Sequence, residues 1–222
     1  MSNYLNNLKF KNNMNLTKQM ERKLKVLAAG CIHGDTNLVS RLADKAEREN
    51  VDIVLLCGDL TLAQKETRNI IKPFKEKGKT VLFVTGNHDG IALGHFLADY
   101  YKSKHLHGES GVYYNVGIFG SSLANIGPDS MNDQEFFETL QKGHEKIKDI
   151  TKKIMVTHVH PAGTQMEKIT GFEGSKGITY AIKKFQPDIA FCSHLHELSG
   201  FEEKIGKTRI INVSRTGKII EL

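Results

Sequence analysis

The chain has 222 residues, is 39% hydrophobic and 25% charged, and carries a formal net charge of +6, the profile of one domain able to bury a sizeable core. Lys9, Lys11, Lys18, Arg22, Lys23 and Lys25 stand against Glu21 alone in the first 25 residues, so the body is nearly neutral and a nucleic-acid partner is not expected. No apolar run approaches the roughly 20 residues of a membrane span. Residues 1–22 lack the apolar stretch of a secretory signal, and three cysteines suit a reducing compartment, so a cytoplasmic protein is expected.

Residues 1–22 read as a flexible N-terminal extension, with Met20 directly before Glu21-Arg22-Lys23, and residues 23–222 as a single domain. Lys25–Gly30 is a short apolar strand, followed by the loop Cys31-Ile32-His33-Gly34-Asp35. Leu38, Leu42 and Ala46 then recur at helical spacing, with Asn37 as N-cap. Val51–Cys57 is a second strand with Gly58-Asp59 at its end; a helix is expected over 64–77, with Ile70, Ile71 and Phe74 inward. The run Thr80–Thr85 is a third, fully buried strand, and it delivers Gly86-Asn87-His88-Asp89. Three βα units in succession predict a parallel sheet with right-handed crossovers.

Beyond a helix near 91–101, residues 111–120 read as a hairpin or two neighbouring strands and residues 132–150 as another helix. Lys153–Thr157 and Asp188–Ser193 are buried strands ending on His158 with His160, and on His194 with His196. Residues 161–174, rich in glycine and proline, are expected to form a long loop at the rim, a candidate lid. A helix follows over 175–185, and strands at 207–212 and 218–222 close the chain.

Five strand ends therefore carry polar residues: Cys31 and His33; Asp59; Asn87, His88 and Asp89; His158 and His160; His194 and His196. If these ends share the edge of one sheet they converge in space. Histidines together with carboxylate and amide oxygens form a ligand set for zinc, manganese or iron, and paired ions serve displacement at phosphorus. Cys57 and Cys192, inside apolar strands, read as core.

In these blocks the sequence resembles the calcineurin-like metallophosphoesterases, whose motifs are Asp-x-His, Gly-Asp, Gly-Asn-His-Asp or Glu, a lone His, and Gly-His-x-His. Here they stand as Cys31-Ile32-His33, Gly58-Asp59, Gly86-Asn87-His88-Asp89, Thr157-His158 and Ser193-His194-Leu195-His196. The resemblance implies an α/β sandwich of two mixed β-sheets flanked by helices, and two divalent metal ions, zinc, iron or manganese. Cys31, His33, Asp59 and His196 would hold one ion, and Asp59, Asn87, His158 and His194 the other, with Asp59 bridging. It further implies hydrolysis of a small-molecule phosphomonoester or phosphodiester through a metal-bridging hydroxide, with His88 as general acid and Asp89 orienting it. Asp35 and Glu197 are candidates for supporting contacts, and His160 for reaching substrate phosphate.

Three positions depart from the family pattern: Cys31 replaces an aspartate, Ser193 a glycine, and Ser214 a glycine that often follows Asn212. A thiolate suits zinc or ferrous iron better than manganese. Cys31 also sustains an alternative, a binding or scaffold protein that keeps the fold while catalytically impaired.

Overall fold

The computed structural model describes residues 23–222; the extension expected over residues 1–22 lies outside them. One five-stranded sheet has the order β11-β1-β2-β3-β4, formed by β1 (Lys25–Ala29), β2 (Ile53–Cys57), β3 (Thr80–Val84), β4 (Lys104–His105) and β11 (Lys218–Glu221). A six-stranded sheet has the order β5-β6-β7-β8-β10-β9, formed by β5 (Ser110–Tyr113), β6 (Val116–Ser121), β7 (Lys152–Thr157), β8 (Ile189–Cys192), β9 (Glu202–Ile205) and β10 (Thr208–Asn212). The central strands β1 to β4 run parallel, as do β6, β7, β8 and β10; β11, β5 and β9 pair antiparallel at the edges, so both sheets are mixed.

The two sheets stack face to face. Val26, Ala28, Leu55, Cys57, Leu82 and Val84 of the first meet Ile118, Ile154, Val156, Phe191 and Ile211 of the second in one apolar layer. The opposite face of the first sheet is covered by α1 (Thr36–Arg48), α2 (Lys72–Glu76) and α3 (Ile91–Tyr101), through Leu38, Leu42, Ile71, Phe74 and Leu97. α4 (Asp133–Glu145), α5 (Gln165–Thr170) and α6 (Lys176–Phe185) cover the second, through Phe136, Leu140, Met166, Ile178 and Ile182. Coverage on both faces explains why the strands read as continuous apolar runs.

Several elements differ from the sequence reading, each for a local reason. The helix expected over 64–77 contracts to α2, because Ala63, Gln64, Glu66 and Asn69 adopt φ of 51°, 59°, 52° and 57°, which no α-helix accommodates. Ile70, Ile71 and Phe74 are nonetheless buried. Asp35, not Asn37, caps α1: its side chain accepts from Leu38 N at 2.9 Å. The segment 161–174 is no structureless loop, since it contains α5, capped by Thr164 and ended by Gly171 at φ 73°. Strand β9 carries little apolar signal in the sequence, since Glu202, Glu203 and Lys204 make it a charged edge strand. Of the two arrangements expected over 111–120 the hairpin β5–β6 forms, its turn at Tyr114 and Asn115 taking φ of 47° and 61°. Among the described residues no helix is long and apolar enough to cross a membrane.

Candidate metal centre

The expected convergence occurs, but across two sheets rather than along one edge. β1, β2 and β3 deliver Cys31, His33, Asp59, Asn87, His88 and Asp89, while β7 and β8 of the facing sheet deliver His158, His194 and His196. Parallel strands in both layers end at the same rim of the sandwich, so the five loops share one site.

Four of these residues, Cys31, His33, Asp59 and His194, hold left-handed backbone at φ of 51°, 50°, 50° and 68°. Each such residue costs about 1 kcal/mol or more, and the chain bears this where it turns side chains toward a common point. Two glycines make the approach possible. A Cβ on Gly86 would overlap Asp59 Oδ1, and one on Gly58, itself at φ 83°, would stand 2.5 Å from His158 Nδ1.

Asp59 is the hub. Its Oδ2 lies 3.3 Å from His158 Nε2 and 3.7 Å from His33 Nε2, and its Oδ1 accepts the backbone N–H of His88 at 3.1 Å. Around it, His33 Nε2 faces His196 Nε2 at 3.2 Å, His158 Nε2 faces Asn87 Oδ1 at 3.2 Å, and His194 Nδ1 lies 3.1 Å from His158 Nε2. Cys31 Sγ lies in the same group: ligand atoms of Cys31, His33 and His196, of Cys31, Asp59 and His158, and of His33, Asp59 and His88 fall within 4.8 Å of one another in each set.

Burial would raise the Asp59 pKa, yet His158 and His33 hold its carboxyl well below the usual range. Burial likewise opposes protonation of His158, and Asp59 reverses the sign, raising it. Burial, and then His158, push His194 down to about 3; burial lowers His33; burial, and then Asp59, push the Cys31 thiol up to about 11.

The donor set fits divalent cations on its own chemistry. His158 Nδ1 lies 2.9 Å from the carbonyl of Cys57, which only accepts, so that nitrogen carries a proton and Nε2 of the neutral ring presents a lone pair. That lone pair faces Asn87 Oδ1, Asp59 Oδ2 and His194 Nδ1. The lone pairs of His158 Nε2, Asn87 Oδ1 and Asp59 Oδ2 repel at this distance unless a positive charge lies between them; a proton on His158 supplies one, and a divalent ion, which His194 Nδ1 could also ligate in the matching tautomer, supplies another.

A model of the calcineurin-like phosphoesterase family matches residues 24–198. The chain belongs to the calcineurin-like phosphoesterases. The family uses divalent metal ions, and its sandwich of two mixed sheets is the fold described above. No match was found among curated proteins. Solved structures share the fold at low identity. TT1561 of Thermus thermophilus is 14% identical with a TM-score of 0.71, over 90% of this chain and 98% of that one. Phosphopantetheinyl hydrolase (PptH) of Mycobacterium tuberculosis is 12% identical with a TM-score of 0.61, over 87% and 89%. A dimetal phosphatase from Danio rerio is 11% identical with a TM-score of 0.60, over 88% of each.

Within this calcineurin-like phosphoesterase, several supporting residues take roles other than those expected. The fully buried Asp89 accepts from Leu60 N, Thr61 N, Thr61 Oγ1 and Gly86 N at 2.7–3.0 Å, so it binds two loops together rather than orienting the His88 ring. Asp35 pairs with Arg215 at 2.6 Å, and Arg215 also donates to the Cys31 carbonyl at 3.2 Å, pinning the Cys31 turn. Arg215 escaped the sequence reading because it lies 184 residues from its partner and in no motif. Glu197 is exposed. His160 is fully buried and its Nε2 bonds to Phe172 O at 3.1 Å, so it holds the 161–174 segment. Cys57 and Cys192 are buried in strands, as expected.

Proposed function

We propose that this chain is a metal-dependent phosphoesterase acting on a small-molecule phosphomonoester or phosphodiester in the cytoplasm, with residues 23–222 working as one domain. Cys31, His33, Asp59 and His196 hold one divalent ion in this reading, and Asp59, Asn87, His158 and His194 the other. The observation that carries it is the group of lone pairs gathered round Asp59, with the His88 ring 5.0 Å from the His33 ring at the rim. Bound ions supply Lewis-acid stabilisation of charge building on the phosphoryl oxygens. The residues supply position and protons. Asp59, fixed by the His88 N–H, keeps the two halves of the site in register. His88, at the end of β3 and partly exposed, gives a proton to the departing ester oxygen.

The departure at Cys31 supports the second reading, an impaired binding protein: a thiol pushed up to about 11 must lose its proton before it binds metal. Elemental analysis of protein purified without chelator, paired with hydrolysis of mono- and diesters, separates the two. Two ions per chain with turnover abolished by chelation are expected. Turnover that survives both His88→Ala and metal removal overturns the phosphoesterase reading, and one ion or none without turnover transfers support to the second.

A further inference from the structure

Beside His194 the rim opens into a cavity of about 240 Å³ lined by Asn125, Ile126, Phe172, Glu173 and His194. Ile126 and Phe172 are 55% and 53% exposed there, an unusual expense of apolar surface next to a polar centre. Neither loop is loose at this point. Asn125 Nδ2 donates to Glu173 O at 2.9 Å, joining the two loops across the cavity. Phe172 is fixed on both sides of its backbone, its N–H donating to Thr170 Oγ1 at 3.2 Å and its carbonyl accepting from the buried His160 at 3.1 Å. An exposed aromatic ring on an anchored backbone is a preorganised contact surface.

Position in the cluster determines which part of a substrate would meet it. The His88 ring lies 5.0 Å from the His33 ring and the His194 ring 4.9 Å from the His158 ring, so His88 and His194 adjoin different members of the cluster around Asp59. His194 lines the cavity and His88 does not, so with the leaving group directed to His88 a group in the cavity belongs to the portion of the ester retained at phosphorus. A monoester retains none. The volume suits a single ring rather than a polymer, being below the roughly 300 Å³ at which whole-ligand pockets begin. The Glu173 carboxylate at the edge is paired with Lys176 at 4.0 Å, so the rim adds no unbalanced charge to attract an ionic occupant.

Resting on the phosphoesterase reading above, we infer that the cavity between Ile126 and Phe172 is a subsite for an uncharged, ring-bearing substituent, making a phosphodiester with such a group the preferred substrate class.

The test keeps the leaving group constant. Methyl p-nitrophenyl phosphate and benzyl p-nitrophenyl phosphate differ only in the retained group, and calorimetric binding of methylphosphonate and benzylphosphonate to the metal-loaded protein gives a readout without turnover. A preference for benzyl of roughly tenfold is expected in kcat/KM and in binding, lost in Phe172→Ala and Ile126→Ala while the methyl compounds are unaffected. Turnover without benzyl preference, or equal losses on both compounds in the variants, overturns the subsite and leaves the phosphoesterase reading standing. Benzylphosphonate preference without turnover of either diester or of the monoester p-nitrophenyl phosphate supports the subsite and overturns the phosphoesterase reading; turnover of the monoester alone overturns the diester preference, and neither preference nor turnover of any of the three overturns both.

Discussion

The hydroxyl of Ser193 lies 3.0 Å from His158 Nδ1 and donates to the Cys57 carbonyl that the same nitrogen also approaches. A side chain at a position where the family usually has glycine thus helps decide which nitrogen of a proposed metal-binding histidine keeps its proton. Room for it comes from Gly30, where a Cβ would stand 2.7 Å from Ser193 Cβ. Ser193→Ala should weaken metal affinity by roughly tenfold, the low end for such supporting contacts, because the Cys57 carbonyl still orients the ring. Chelator competition measures this; an unchanged affinity would remove Ser193 from the site.

Cys31→Asp exchanges a protonated thiol for a carboxylate ionised at neutral pH. Manganese-supported hydrolysis should rise by roughly tenfold as the site becomes harder. The metal-free variant should lose stability, since the new carboxylate shares a 4.8 Å cluster with Asp59. Equal or lower manganese turnover would argue against Cys31 as a ligand.

Replacing His88 by alanine removes the imidazole but keeps the backbone N–H that Asp59 accepts at 3.1 Å. Metal content and KM should therefore hold while kcat falls by about 100- to 1,000-fold. A matching loss of bound metal would reassign His88 from proton donor to ligand.

His105 offers a pH test away from the centre. Burial, then His107 and His95, push it from 6.5 down to about 3, and it is 6% exposed. Because its folded pKa lies below the unfolded one, the unfolded chain alone takes up this proton, and stability falls as pH drops below 6.5. At about 1.4 kcal/mol per pH unit, the loss reaches roughly 2 kcal/mol at pH 5. His105→Gln should flatten this part of the denaturation profile, and parallel profiles for variant and wild type would refute the assignment.

Much of the centre was legible because its residues come in short local blocks. Asn87 and His88 are inseparable from the apolar run that becomes β3, and His158, His194 and His196 likewise follow strands whose burial is written in continuous apolar sequence. Local patterning failed where backbone geometry or distant partners rule. The left-handed residues between Ala63 and Asn69 erased a helix that side-chain periodicity supports. Asp89 kept its predicted place but took its partners from Leu60, Thr61 and Gly86.

The sequence by itself determined that these donors sit at strand ends, since apolar period and polar block are both local properties of the chain. Only packing in three dimensions sets the strand ends in two stacked sheets, makes Asp59 their hub, and brings Ser193 to His158 and Arg215 to the Cys31 carbonyl. Those facts depend on contacts such as Arg215 with the Cys31 carbonyl and His160 with Phe172. Such contacts arise only when packing of the sheets through their shared apolar layer brings separate loops to one rim.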